Sequence, residues 1–326
     1  MKSTADTLRF FMIAAVMLVA SCHAAVGPPK LRVADQLNTV QTVLTAAGEL
    51  KPPKYQIEWS NFLGGPAVIA AETGGSVDLG WMAETPLVYA QAAGSPVKVV
   101  AVAKGLRPGA SNIALVVAAH SAIHSVANLR GKKVGFQPGT VTQYLVVRLL
   151  GKAGLSLADI TPVQTTTLGS ASLDRGIVDA YVTAEPMLSQ GLHDGKLRVL
   201  AYGGEPITPG FAYLVASDQA LADPARAALI GEFVTRLARA TRWERENVAK
   251  AAPVVAQFYK VTPQVAEAIL RRTPSGYTPV SPAIIAAHQQ EADLFFKLGL
   301  IRTRVDSTKL FDRRYDAQIA TAETEK

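Results

Sequence analysis

The chain has 326 residues, 49% of them hydrophobic and 18% charged, with 25 Gly, 19 Pro and one Cys. That length suits about two domains with sizeable cores, and the composition excludes disordered, collagen-like and low-complexity classes. A single Cys permits neither an intrachain disulfide nor a Cys-based zinc site. The net charge of +7 is spread without a Lys/Arg run or an aromatic-interleaved basic motif, which argues against nucleic acid and leaves solubility or attraction of anionic solutes.

Lys2 and Arg9, with Asp6 between them, precede Phe10 to Ala20, an apolar run of eleven residues. This is the length of an export-signal core and too short to span a bilayer. Val19-Ala20-Ser21-Cys22 resembles a bacterial lipoprotein box, in which Cys22 would be lipidated. Ordinary cleavage a few residues later, at Cys-His-Ala, is the alternative. Residues 1–21 are thus expected to be a signal peptide and 22–29 a linker. No later segment is long and apolar enough to cross a membrane, so the exported protein should be soluble, with Cys22 as its only tether.

From Lys30 onward, short β-rich runs alternate with helical patterns, the signature of an α/β protein with mostly parallel sheets. Strands are predicted at 31–34, 56–62, 77–80, 97–103, 113–118, 133–136, 160–164, 180–183 and 213–216. Helices are predicted at 40–49, 66–72, 86–93, 142–153, 186–192, 224–250, 253–259, 263–271 and 282–298. Proline opens many of them, where its fixed φ and missing N–H cost nothing. The charged, Ala-rich stretch 223–250 changes the texture, and only helices are expected after it. These patterns predict one lobe from 30–112 plus 213–326 and a second from 113–212. Two chain crossings between them would make a hinge over a cleft.

In open α/β sheets, ligands bind outside the C-terminal ends of the strands, so the loops there are the candidate site. The first, Asp35-Gln36-Leu37-Asn38-Thr39, offers Gln36 and Asn38, with Asn38 or Thr39 serving either as helix N-cap or as ligand contact. Gln137-Pro138-Gly139-Thr140-Val141-Thr142 runs from a strand into a helix. Gly139 allows close backbone approach, and Thr140 and Thr142 bring hydroxyls beside free N–H groups. Such a helix start suits a sulfonate, sulfate, phosphate or carboxylate. Gly64 and Gly65 either let a ligand approach the backbone or simply make a tight turn. Trp81 and Met82 either line a cleft or pack under the helix that begins near Thr85. Glu84 and Glu185 precede helix-opening prolines. Each either complements the helix dipole or meets an amine or hydroxyl of the ligand.

Signs of catalysis are few. His120 and His124 have no third ligand nearby, and His193 and His288 read as solvated helix-end residues. G-x-S-x-G, H-E-x-x-H, Walker and G-x-G-x-x-G motifs are absent. The faces around Arg236–Arg245 and Gln289–Lys297 read as solvated or partner-facing surface. No metal and no cofactor are expected.

Several stretches carry a family likeness. Phe62-Leu63-Gly64-Gly65-Pro66, Gly75-Ser76-Val77-Asp78-Leu79-Gly80 and Tyr89-Ala90-Gln91-Ala92-Ala93-Gly94 come first. Leu129 to Gly139 (LRGKKVGFQPG), Val178-Asp179-Ala180-Tyr181 and Gln289 to Phe296 (QQEADLFF) follow in order. Together they resemble the aliphatic sulfonate-binding proteins of bacterial ABC importers, from about Leu31 to Asp306. The resemblance implies a two-lobed, type II periplasmic-binding fold, expected to be a monomer in the periplasm. It would close on a small organic anion and deliver it to an inner-membrane permease. Taken with the loop reading above, the expected ligand-contact set is Gln36, Asn38, Gly64, Gly65, Trp81, Met82, Glu84, Thr85, Gln137, Gly139, Thr140, Val141, Thr142 and Glu185.

The chain departs from the family at Trp81-Met82-Ala83-Glu84, where small polar residues and Gly-Asp are common. It departs again at Ala184-Glu185-Pro186, where Trp-Asp-Pro is common. Its first loop also lacks a frequent glycine. Taurine, nitrate, sulfate esters, aromatic sulfonates and pyrimidine thiamine precursors are therefore alternative solutes. A membrane sensor is an alternative partner. An enzyme on the same fold would need a Cys or His cluster in the cleft, which this sequence does not offer.

Overall fold

The computed structural model describes residues 28–52, 54–107, 109–164 and 169–325. The expected signal peptide, Cys22 and most of the linker lie outside the described residues. Two sheets organise the rest. The first contains β1 (Lys30–Gln36), β2 (Gln56–Phe62), β3 (Leu79–Ala83), β4 (Val97–Gly105), β10 (Ala212–Ser217) and β11 (Ser275–Thr278), in the order β11-β4-β10-β3-β1-β2. The second contains β5 (Ile113–Ala118), β6 (Lys133–Phe136), β7 (Thr161–Gln164), β8 (Ala180–Ala184) and β9 (Leu197–Tyr202), in the order β7-β6-β8-β5-β9.

Both sheets are mixed, which corrects the mostly parallel expectation. β1 pairs in parallel with β2 and β3, and β6 with β7 and β8. The strands that enter just after a crossing, β5 and β10, are antiparallel to both of their neighbours. β11 corrects a second expectation, since it is a strand beyond the charged stretch. Ser-Gly-Tyr-Thr is too short to show an apolar alternation and is held by pairing with β4. β9, with Arg198 inside it, is likewise absent from the predicted set. That side chain donates to the carbonyls of Ser121 and Ile123.

The helices are α1 (Thr39–Ala46), α2 (Gly65–Thr73), α3 (Thr85–Ala92), α4 (Val141–Lys152), α5 (Ser170–Asp174), α6 (Met187–His193), α7 (Asp218–Ala222), α8 (Pro224–Glu246), α9 (Val248–Tyr259), α10 (Pro263–Arg272), α11 (Pro282–Lys297) and α12 (Asp316–Thr324). Pro66, Pro86, Pro224, Pro263 and Pro282 stand in the first turns of their helices, as the sequence indicates. Pro253 does not open one; it lies inside α9. The break falls at Asn247, whose Nδ2 donates to the Trp243 carbonyl and whose backbone leaves the helical region. Among the described residues, no helix is long and apolar enough to cross a membrane.

The first sheet is covered on both faces. Leu31, Val33 and Leu214 pack with Phe233, Val234, Leu237 and Ile319, while Ala34, Val99 and Val215 pack with Val68, Leu87 and Ile284. The second sheet packs Leu115, Val134 and Val182 against Leu145 and Leu149 of α4. A bridging cluster of Val88, Tyr144, Ala292, Phe295 and Ile301 joins α3 and α11 to α4.

Glu72 sits inside the first of these units, 1% exposed, with neither carboxyl oxygen hydrogen-bonded among the described residues. A Cβ on Gly80 would lie 2.9 Å from its Oε1 and 2.3 Å from Val68 Cγ1, so glycine is needed there to admit the carboxyl. Burial pushes the Glu72 carboxyl well above its ordinary value. The folded protein then keeps a proton that the unfolded chain releases. Stability is therefore lost as pH rises from about the ordinary carboxylate range toward the raised value. Glu72→Gln should melt several degrees above the parent at pH 8, with the gap closing toward pH 4.5 in thermal melts.

Candidate functional site

Five strand-to-helix loops, three from the first sheet and two from the second, open onto one cavity of about 670 Å³ between the two sheets. The β1–α1 loop turns through Leu37 and Asn38, at φ 54° and 56°. This is the left-handed region, where a side chain such as that of Leu37 costs strain. Asp35 holds the turn: its carboxylate accepts from the N–H groups of Gln36, Val40 and Gln41. Gln36 Nε2 then reaches the Trp81 carbonyl at 2.7 Å, tying this loop to β3.

The β2–α2 and β6–α4 turns meet across the cavity. A Cβ on Gly64 would stand 3.1 Å from Gln137 Nε2, and one on Gly139 would stand 3.8 Å from Pro66 Cγ. Gly65 is tighter still, its Cβ position 2.3 Å from Pro86 Cγ. In the β6–α4 turn, Thr140 and Thr142 hydroxyls lie 2.8 Å apart, and both reach the Gln137 carbonyl. Thr142 Oγ1 also accepts from the Gln137 N–H, and Gln143 Oε1 accepts from the Gly139 N–H. The hydroxyls thus build the turn, and Thr140 caps α4. The first-turn N–H groups of α2 and α4 have no partner four residues back, so two positive helix ends converge on the cavity.

Ten of the fourteen sequence-indicated residues line this cavity: Gln36, Gly64, Gly65, Trp81, Glu84, Gln137, Thr140, Val141, Thr142 and Glu185. Four do not. Asn38 leaves its side-chain oxygen to Gln41 Nε2, and it caps no N–H of α1 through that side chain. Met82 is 0% exposed and packs in the core beside Val68 and Leu87, because β3 alternates and turns it to the opposite face from Trp81. Thr85 is buried and donates to Glu291 Oε1 at 2.5 Å. Gly139 lies at the Pro66 contact, outside the lining.

The carboxylates sort differently from the sequence reading. Arg272 Nη2, at the end of α10, bonds Glu185 Oε1 and Ser189 Oγ, while the Ser189 N–H donates to Glu185 Oε2. Glu185 therefore pairs with a cation from the helices over the first sheet. Arg272→Ala would leave a buried carboxylate without its partner and should cost about 2–3 kcal/mol in urea unfolding. Arg272→Lys should recover part of it. Glu84 is 1% exposed, and burial beside Glu291 pushes both carboxyls up. His288, read as solvated, is 1% exposed among Tyr213 and Phe311, and burial lowers its pKa to about 4. Arg236 and Glu291, read as surface, are also buried.

Sequence reasoning passed over Lys104, Ser111, Asn112, Thr183, Glu244, Tyr259 and Tyr277, all of which line the cavity. Asn112 and Ser111 sit on the crossing before β5, where position rather than pattern brings them in. Lys104 is exposed at the end of β4. No Cys or His lines the cavity among the described residues, and no group of three or more His, Cys, Asp or Glu among them could hold a metal ion.

A two-sheet α/β frame with helix ends converging on an intervening cavity defines a ligand-binding class of fold, and the comparisons with known proteins are specific. Residues 65–244 match the NMT1/THI5 like family model, and the chain belongs to that family. A protein of Escherichia coli (strain K12) named for binding aliphatic sulfonates is 32% identical over 285 residues, covering 86% of this chain and 88% of that one. The alkanesulfonate-binding protein SsuA from Xanthomonas axonopodis pv. citri, solved bound to MOPS, superposes with a TM-score of 0.78 at 31% identity, over 88% of this chain and 99% of that one. The periplasmic aliphatic sulphonate binding protein SsuA from Escherichia coli gives 0.75 at 29% identity, over 88% and 92%.

Proposed function

We propose that this chain is the exported solute-binding component of an ABC importer, capturing an aliphatic sulfonate or a closely related organic anion between two lobes. The observation that carries the reading is the meeting of the Gly64–Gly65 and Gln137–Thr142 turns across one cavity. Each presents the N-terminus of a helix of eight or more residues to the same space. Relatives named for sulfonate binding, at 31–32% identity over most of their length, support the anion class. The periplasmic location of the Escherichia coli SsuA supports export, and lipidation of Cys22 would then tether the protein.

The lobes are 30–112 plus 213–326 and 113–212. Two glycine-bearing crossings, 106–112 and 203–211, would form the hinge, and they touch: a Cβ on Gly204 would lie 2.7 Å from the Ala110 carbonyl oxygen. The side-chain bridges from Tyr89 to Gln143 and from Arg272 to Glu185 span the lobes on either side of the cavity. A solute that favours the arrangement in which they form would shift the population toward it, and that shape is what a permease would read. Relatives named as binding proteins support binding over catalysis.

A thermal-shift screen of the purified protein against sulfonates, taurine, sulfate, nitrate, carboxylates and thiamine precursors tests the reading. A ligand of the folded state adds about 2.7 kcal/mol at a hundredfold excess over its dissociation constant. The expected result is a rise with one or more alkanesulfonates. A rise only with an aromatic acid or a pyrimidine precursor would replace the solute class.

A further inference from the structure

The cavity continues past the two converging turns, beneath α8, α9 and α10. Leu237, Thr241 and Glu244 line it from one stripe of α8, at the i, i+4, i+7 spacing of a single helix face. Val255 and Tyr259 of α9, Ile269 and Leu270 of α10, and Tyr277 of β11 complete this compartment. Its walls are apolar or aromatic, and the Thr241 and Thr273 hydroxyls are spent on carbonyls of their own helices. Glu244 is its one carboxyl.

That carboxyl stands alone. Among the described residues Glu244 takes part in no ion pair, and its side chain receives no hydrogen bond. The neighbouring cations of α8 turn away: Arg245 pairs with Glu323 at 2.7 Å and Arg242 reaches the Glu325 carbonyl. Burial with no compensating charge pushes Glu244 up to about 7. The other two carboxyls on the cavity are differently placed, Glu185 being paired with Arg272 and Glu84 sunk beside Glu291. Glu244 is half-buried on a stretch of cavity wall that also holds Tyr259, Leu237 and Val255, and a lone carboxylate there gains from an occupant that supplies a cation or a donor. Aromatic walls add to the attraction for a cation. The volume fits a bipolar occupant, since ~300–1,000 Å³ is the range of pockets for drug-sized ligands.

Building on the sulfonate reading above, we infer that the solute is a bipolar molecule, an aminoalkanesulfonate whose anionic head lies at the α2 and α4 N-termini and whose ammonium group meets Glu244. The stripe 237–241–244 is then the specificity wall, and α8 belongs to the binding site rather than to a solvated surface.

Calorimetric titration with 4-aminobutanesulfonate and butanesulfonate, a pair that differs only in the ammonium group, tests this on the parent protein and on Glu244→Gln. The parent should bind the amino compound at least tenfold more tightly. Glu244→Gln should erase that preference, bringing the amino compound's affinity down to that of butanesulfonate, and should melt no lower than the parent. Equal affinities of the parent for the two compounds would overturn the inference and leave the sulfonate reading standing, as would an unchanged preference in Glu244→Gln. Binding of neither compound would overturn both.

Discussion

Gly64→Val should weaken sulfonate binding at least tenfold while the unliganded protein melts within a degree or so of the parent. Gly64 has φ 172°, extended backbone that any residue adopts, so the substitution adds no backbone strain. What it adds is volume at the contact between the β2–α2 and β6–α4 turns. The new Cβ would stand 3.1 Å from Gln137 Nε2, and the two methyl groups beyond it have only the β6–α4 turn or the cavity to enter. Gln137 is the flexible side chain that would have to give way, and its displacement disturbs the turn that presents the α4 N-terminus. The cost falls on the arrangement in which the two turns meet, which under the proposed function is the one that holds the ligand. A tenfold loss corresponds to about 1.4 kcal/mol, modest for a β-branched side chain at such a distance. Calorimetry and a thermal melt on the same preparation separate the outcomes. A large fall in melting temperature with unchanged affinity would mean that Gly64 serves local packing alone. Gly65 is unsuited to this test, because its Cβ position is blocked by Pro86 at the start of α3.

The double substitution Thr140→Ala and Thr142→Ala should also reduce affinity by about tenfold or more, or ~1.4 kcal/mol. The hydroxyls lie 2.8 Å apart and between them hold the Gln137 carbonyl and N–H, so their loss frees the turn as well as removing polar contacts. Losing the Thr140 cap should lower stability by about 1 kcal/mol, visible as a small fall in melting temperature. Thr140→Ser together with Thr142→Ser keeps the hydroxyls and should restore most of the affinity. Unchanged affinity in the alanine pair would remove the β6–α4 turn from the anion site.

Much of the frame was legible because its signals are local. β2, β5 and β6 match their predicted spans to the residue: β5 is a short apolar run, β2 alternates polar with apolar residues, and β6 is closed by the Gln-Pro-Gly turn. The loops after β1, β2, β3, β6 and β8 were found by position, at strand C-termini, and ten of the residues named on them line the cavity. The failures share one cause, which is that the deciding partner is distant in sequence. Glu185 looks like any acidic residue before a helix until Arg272, 87 residues on, closes over it. Met82 and Trp81 are adjacent, and only the sheet's pleat decides which faces the cavity. β11 is a strand only because β4 offers it an edge. Glu244 sits in a run of alternating charges, R-W-E-R-E, that reads as a solvated helix face. Its direction is set by the fold of α9 and α10 over α8, which a helical period cannot show.

The arrangement of two helix N-termini about one cavity is the centre of this account, and a crystal structure of the protein with butanesulfonate tests it most directly. The sulfonate oxygens are predicted to lie within hydrogen-bond distance of the Gly65 and Val141 N–H groups, with the alkyl chain directed toward Trp81 and the α8 stripe. A sulfonate seated away from both turns, or a cavity that takes a neutral solute and refuses the anion, would contradict it.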